Sequence, residues 1–124
     1  MNKFKRTLFL FSLFLFACNT SIGQTIKIIN KEAVKTDVVG KKVQLIDVRT
    51  AEEYEAGHIA NAINYNIING DVFLIQIQKL NKNLPVYLYC KMGGRSSRAA
   101  KVLKEQGFKK IFDYAGGYND WVTD

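Results

Sequence analysis

Short β-rich runs and helix-forming runs alternate along this chain, and that alternation leaves few architectures open. Val43-Gln44-Leu45-Ile46-Asp47-Val48 and Val86-Tyr87-Leu88-Tyr89 are mostly apolar and rich in β-branched or aromatic residues, the pattern of strands covered on both faces. The helix-forming runs carry their own punctuation. Thr50-Ala51-Glu52-Glu53 spells a capping box, with Gly57 as a left-handed stop. Asp71 opens a run in which Val72, Leu74, Ile75, Ile77 and Leu80 form a broad apolar face. Residues 96–106 form another helix with Ala99, Ala100, Val102 and Leu103 inward and Gly107 as its stop. Residues 26–29, 62–66 and 111–114 supply further strands. Asn30 caps a short helix through Val34, and Gly116-Gly117 leads into a helical tail at residues 118–122. Strands alternating with helices at this spacing predict an α/β domain with a mainly parallel central sheet flanked by helices.

The chain has 124 residues, 48% of them hydrophobic and 23% charged, which suits one such domain and is too short for two. No repeat or low-complexity linker interrupts residues 24–124, and they are assigned to the domain. Residues 1–23 are set apart as an export signal. Lys3, Lys5 and Arg6 form a basic start, and residues 8–17 are an apolar run shorter than the ~20 residues a membrane span needs. Two processing sites compete. Leu15-Phe16-Ala17-Cys18 resembles a bacterial lipobox, which would lipidate Cys18, although Phe16 is bulky for its place. Ser21-Ile22-Gly23 before Gln24 is a small-x-small cleavage site, which would discard Cys18. Both predict a bacterial periplasmic or cell-envelope location, with membrane contact only through a lipid on Cys18.

Either way Cys90 becomes the one free thiol of an exported chain, and such a thiol is either buried and inert or kept for its reactivity. Removing Lys3, Lys5 and Arg6, which come with no acid, takes the formal charge from +7 to +4. The remaining charges are mixed, and no basic run is interleaved with aromatics, so no nucleic-acid partner is expected. The same charge favours anionic small molecules mildly.

Cys90 closes an apolar strand, and a helix starts a few residues later. In parallel sheets ligands bind beyond the carboxyl ends of strands, so the position suits chemistry. Gly93 and Gly94 let successive backbone N–H groups turn inward, and the helix adds unpaired donors and the positive end of its dipole. Such a cradle binds an anion and lowers a thiol's pKa from ~8.5 toward about 3.5–7.5, with Arg95 and Lys91 reinforcing it. Cys90 is then a nucleophile at neutral pH. The plainer alternative is a small buried hydrophobe followed by an ordinary turn. Gly93, Gly94, Arg95 and Ser96 together weigh against it.

Cys90-Lys91-Met92-Gly93-Gly94-Arg95-Ser96 resembles the active-site loop of the rhodanese family of sulfurtransferases. Asp47-Val48-Arg49, Glu53-Tyr54 and Gly57-His58-Ile59 with Ala62-Ile63-Asn64 resemble its first signature, and Ala115-Gly116-Gly117 with Trp121 its last, in order over residues 26–122. The resemblance implies a single rhodanese-like domain in which Cys90 accepts a sulfane sulfur from a donor such as thiosulfate as a persulfide. Cyanide or a thiol then removes it. The donors of residues 91–96 would hold the thiolate and persulfide, and Arg95 the departing sulfite-like anion. A second function class is a persulfide carrier or binding module for a separate envelope protein, with little turnover of its own. Cysteine-dependent phosphatase or arsenate-reductase chemistry is the weaker rival, because those loops run Cys-x5-Arg and Cys90 to Arg95 is Cys-x4-Arg, a tighter ring.

Asp47 and Arg49 suit a buttressing ion pair better than direct catalysis. His58, the one histidine, is a structural residue on the same grounds, since sulfur exchange needs little proton transfer once a thiolate exists. Trp121 and Tyr118 are expected to close the core edge near Gly116-Gly117. Neither a metal nor another cofactor is expected, because no ligand residues pair at metal-binding spacing.

Overall fold

The computed structural model describes residues 25–124, so the export signal and Cys18 lie outside the described residues. Among the described residues five strands form one sheet: β1 (Thr25–Ile29), β2 (Gln44–Asp47), β3 (Ile63–Asn64), β4 (Val86–Tyr89) and β5 (Lys110–Tyr114). Their order is β1-β5-β4-β2-β3, and every pairing is parallel. Five helices join or follow them: α1 (Lys31–Asp37), α2 (Ala51–Ala56), α3 (Gly70–Ile77), α4 (Gly94–Glu105) and α5 (Gly117–Trp121).

Parallel strands need crossovers, and the helices that make them cover both sheet faces. On one face Phe73 and Ile77 of α3 and Ala99, Ala100 and Leu103 of α4 pack on Ile46, Val86, Leu88 and Ile111. On the other, Val34 and Val38 of α1, Tyr54 of α2 and Tyr118 and Trp121 of α5 pack around Leu45, Tyr89 and Tyr114. The sheet is therefore the middle layer of three. After β2 the chain moves outward to β3, and after β4 it moves the opposite way to β5. The carboxyl ends of β2 and β4 thus flank a topological switch point, where a crevice opens in sheets of this kind.

Local chemistry sets the helix ends. The Asn30 side chain accepts the Ala33 N–H to start α1, which runs three residues beyond the expected Val34. Thr50 and Glu53 form the full capping box of α2. Gly57, expected to be a left-handed stop, is instead extended, with φ 160° and ψ 144°. Its lack of a side chain serves packing, because a Cβ there would overlap the Tyr118 hydroxyl. The third strand shrinks to Ile63–Asn64. Of the broad apolar face expected in α3, Ile77 meets the core and Leu80, just beyond the helix, packs against it, but Val72, Leu74 and Ile75 are exposed and Phe73, one turn before Ile77, is buried in their place. The helix expected from Ser96 begins at Gly94, so Arg95 and Ser96 stand in its first turn.

Candidate active site

Cys90 follows the last residue of the central strand β4 and is only 1% exposed. Its carbonyl accepts the Tyr118 N–H at 2.8 Å, and the Lys91 carbonyl accepts the Asn119 N–H at 3.1 Å, so the start of α5 grips the base of the loop. That grip requires glycine at 117, which has φ +68° and whose Cβ would stand 2.5 Å from the Lys91 oxygen and 2.6 Å from that of Cys90. Gly93 is equally constrained, with φ +100° and the Ala115 oxygen 2.6 Å from any added Cβ. Gly94 has open space around it, so the backbone constraint in this pair belongs to Gly93.

The turn at Gly93 bends the chain over the sulfur. The Gly93 N–H donates to Cys90 Sγ at 3.0 Å, and the thiol lies 3.6 Å from the Ser96 hydroxyl oxygen. Burial alone pushes the thiol up, but the Ser96 hydroxyl and the N–H groups of Ser96, Gly93 and Met92 outweigh it and bring Cys90 below the ordinary cysteine value. The twelve residues of α4 start beside this ring, so their unpaired donors add to the field at the sulfur.

The other expected site residues divide into two groups. Met92 and Lys91 are exposed on the loop, and Ser96 is fully buried beneath it. Both arms of Arg95 are engaged by Glu53 of α2, at 2.6 and 2.9 Å. Arg95 drives the Glu53 carboxyl down to about 2; burial opposes this and the Thr50 bonds assist it. In the sequence Glu53 reads as a capping residue and as part of the first signature, and its role as partner to the loop arginine, 42 residues away, is long-range.

Asp47 and Arg49 stand at the end of β2, across the switch point from Cys90, and form a buried pair. Arg49 Nε lies 3.0 and 3.1 Å from the two Asp47 oxygens, and Nη2 reaches Oδ2 at 2.7 Å. The same Nη2 donates to the Gly57 carbonyl at 2.6 Å, and the guanidinium lies 4.3 Å from the centre of the Tyr118 ring. This knot ties β2, the end of α2 and α5 together. His58 is exposed, stacks on Tyr54 at 3.9 Å and places Nδ1 3.0 Å from the Tyr54 carbonyl, so its contacts belong to the end of α2. Among the described residues, no three His, Cys, Asp or Glu side chains gather as a metal site would require.

The model of the rhodanese-like domain matches residues 30–124, which include the whole of this site. The chain belongs to the rhodanese-like domain family. Among curated relatives, YrkF of Bacillus subtilis is 37% identical over 92 residues, spanning 74% of this chain and 46% of YrkF. Thiosulfate sulfurtransferase GlpE of Coxiella burnetii is 35% identical over 81 residues, spanning 65% of this chain and 73% of GlpE. The chain thus spans about half the length of YrkF and most of GlpE. Among solved structures, a rhodanese-like domain protein of Staphylococcus aureus superposes with a TM-score of 0.68 at 30% identity, over 79% of this chain and 93% of that one. The three-layer rhodanese-like domain, with a cysteine in a donor ring at the end of its central strand, is the frame for the chemistry below.

Proposed function

We propose that this rhodanese-like domain is a sulfurtransferase that carries sulfane sulfur as a persulfide on Cys90. The observation that carries this is the ring of Gly93, Met92 and Ser96 donors which lowers the thiol. The thiolate attacks the outer sulfur of a donor such as thiosulfate; a new S–S bond forms, the donor's S–S bond breaks, and its electron pair leaves with sulfite. Cyanide or a thiolate then attacks the outer sulfur of the persulfide and returns Cys90 as thiolate. The N–H groups that hold the thiolate are aimed where negative charge persists through both steps. Arg95, engaged by Glu53, secures the loop against α2, and the loop amides meet the departing anion. The name of GlpE supports thiosulfate as a donor.

Mixing the protein with thiosulfate and cyanide tests this through thiocyanate release. No turnover with several sulfane donors would overturn it. A carrier reading is favoured by YrkF, a relative provisionally named a sulfur carrier protein. It requires a stable Cys90 persulfide, slow discharge to cyanide and fast discharge to a separate envelope protein. The basic and apolar start of residues 1–17 supports export to the envelope, and the intact mass of the natural protein tells lipidated Cys18 from an N-terminal Gln24.

A further inference from the structure

The charges of the domain are mixed along the sequence, but the parallel topology sorts them in space. Every strand of the sheet starts at the end opposite Cys90. The segments that lead into β2, β4 and β5 bring Lys41 and Lys42, Lys82, and Lys109 and Lys110 to that end. Hydrogen bonds join these segments into one row. The Thr25 N–H donates to the Lys109 carbonyl at 3.3 Å, and the Lys109 N–H donates to the Lys82 carbonyl at 3.1 Å. The Gln44 side chain donates to the Asn81 carbonyl at 3.0 Å and accepts the Asn81 N–H at 2.7 Å. The row thus crosses the sheet from β1 through β5 and β4 to β2. Lys79, just beyond α3, and Lys104, in the last turn of α4, join it, because both helices run back toward strand starts.

All of these lysines but Lys82 are exposed, and Lys82 is half-buried with its ammonium 5.7 Å from the centre of the Phe108 ring. Among the described residues none of them lies within ion-pair distance of a carboxylate. The acids of this end are Asp37, which closes α1, and Glu105, which closes α4. The remaining cations and acids of residues 25–124 nearly balance, so the net positive charge of the domain is the charge of this end.

Three observations say what the face meets. Leu84 and Val39, in the segments that lead into β4 and β2, are 52% and 39% exposed among the lysines, and apolar tips within a basic surface suit a lipid interface. A hollow of about 440 Å³ lined by Gly40, Lys41, Lys42, Ala60 and Asn61 offers two ammonium groups to a phosphate headgroup. Thr25 opens the row, so the chain arrives at this end from residues 1–24, which carry Lys3, Lys5, Arg6 and the apolar run 8–17. From Cys18 to Thr25 extended chain reaches at most ~25 Å, so a lipid on Cys18 would hold this end near a membrane. We propose that the lysine-rich end of the sheet is a docking surface for an anionic phospholipid bilayer. The ammonium groups meet lipid phosphates, and Leu84 and Val39 meet the boundary beneath them. Cys90 then faces away from the bilayer. Four residues of β4 at ~3.3 Å each place it about 13 Å farther out than the lysines, beyond the Debye length of about 8 Å at physiological salt. An anionic sulfur donor therefore reaches Cys90 outside the repulsive field of the lipid. The surface itself stands on charge and topology and does not depend on the sulfur chemistry.

Vesicle sedimentation of the natural protein tests the proposal, with phosphatidylcholine alone and with an equal mixture of phosphatidylcholine and phosphatidylglycerol. The neutral vesicles set the baseline for any lipid or apolar residues at the N-terminus. The anionic mixture should bind at least about tenfold more tightly at low salt, and the advantage should fade as salt rises. Replacing Lys41, Lys42, Lys109 and Lys110 together by Gln should abolish the advantage at an unchanged melting temperature. Replacing Lys27, Lys31, Arg98 and Lys101 by Gln, which removes the same charge elsewhere, should keep most of it. No anionic preference in the wild type, or equal loss in the two variants, would overturn the proposal. Should the first variant fail to fold, lysine acetylation of the wild type decides. Anionic vesicles that protect Lys41, Lys42, Lys109 and Lys110 while Lys31 and Lys91 still react support the surface, and uniform or absent protection overturns it. Binding to an RNA hairpin in preference to anionic vesicles would assign the face to nucleic acid and overturn the lipid assignment as well.

Discussion

Replacing Glu53 by Gln removes the charge opposite Arg95 while keeping an oxygen that can accept the Thr50 bonds of the α2 capping box. The Glu53 carboxyl falls from 4.5 to about 2, first through Arg95, with burial opposing and Thr50 assisting. At ~1.4 kcal/mol per pH unit the full depression corresponds to about 3 kcal/mol. The side chains of Arg95 and Glu53 are 22% and 29% exposed, so water screens the pair and about 1–2 kcal/mol should survive. Because the folded-state value lies below the unfolded one, this stability is present above about pH 4.5 and is lost as pH falls toward 2. Urea unfolding followed by the fluorescence of Trp121, the one tryptophan, should therefore show Glu53→Gln less stable by that amount at pH 7, with the gap closing below pH 4. A double-mutant cycle with Arg95→Gln should return most of the difference as coupling between the two residues. An unchanged stability at pH 7, or a gap that persists at pH 2, would refute the assignment of Arg95 to Glu53.

Ser96→Ala removes a hydrogen bond to an anionic sulfur, worth about 1.5–3 kcal/mol, and should raise the Cys90 pKa; alkylation of Cys90 at neutral pH should slow accordingly. Gly117→Ala drives a Cβ into the Cys90 and Lys91 carbonyls at positive φ, and should cost more than about 2 kcal/mol and abolish sulfur loading together, read by thermal unfolding and mass spectrometry. Phe73→Ala should cost about 3–5 kcal/mol, whereas Ile75→Ser, on the opposite, exposed face of α3, should stay within about 0.5 kcal/mol in the same urea assay. His58→Ala should leave kcat unchanged, since its contacts are with Tyr54.

The architecture was legible where a local pattern and the tertiary contact agree. Strands β2 and β4 are apolar at successive positions because both faces are covered, and the Thr50–Glu53 box acts within four residues. Legibility stopped where distant parts of the chain decide. In α3 the residues from Val72 to Ile77 are apolar nearly all round, and only the neighbouring sheet selects Phe73, beside the expected Ile77, over Val72, Leu74 and Ile75. Gly57 looks like a helix stop in sequence, but the approach of Tyr118 is what excludes a side chain there. The Cys90 loop was readable as strand, glycine pair and helix; the ion pair between Arg95 and Glu53 depends on how α2 and α4 pack.

The central claim is that Cys90 carries the sulfur. Intact-mass measurement of the reduced protein after thiosulfate, and again after cyanide, tests it most directly. The account predicts a gain of one sulfur, localised to Cys90, absent in Cys90→Ser and removed by cyanide. A chain that gains no sulfur from thiosulfate or from any persulfide or polysulfide donor, or that gains it equally in Cys90→Ser, would contradict it.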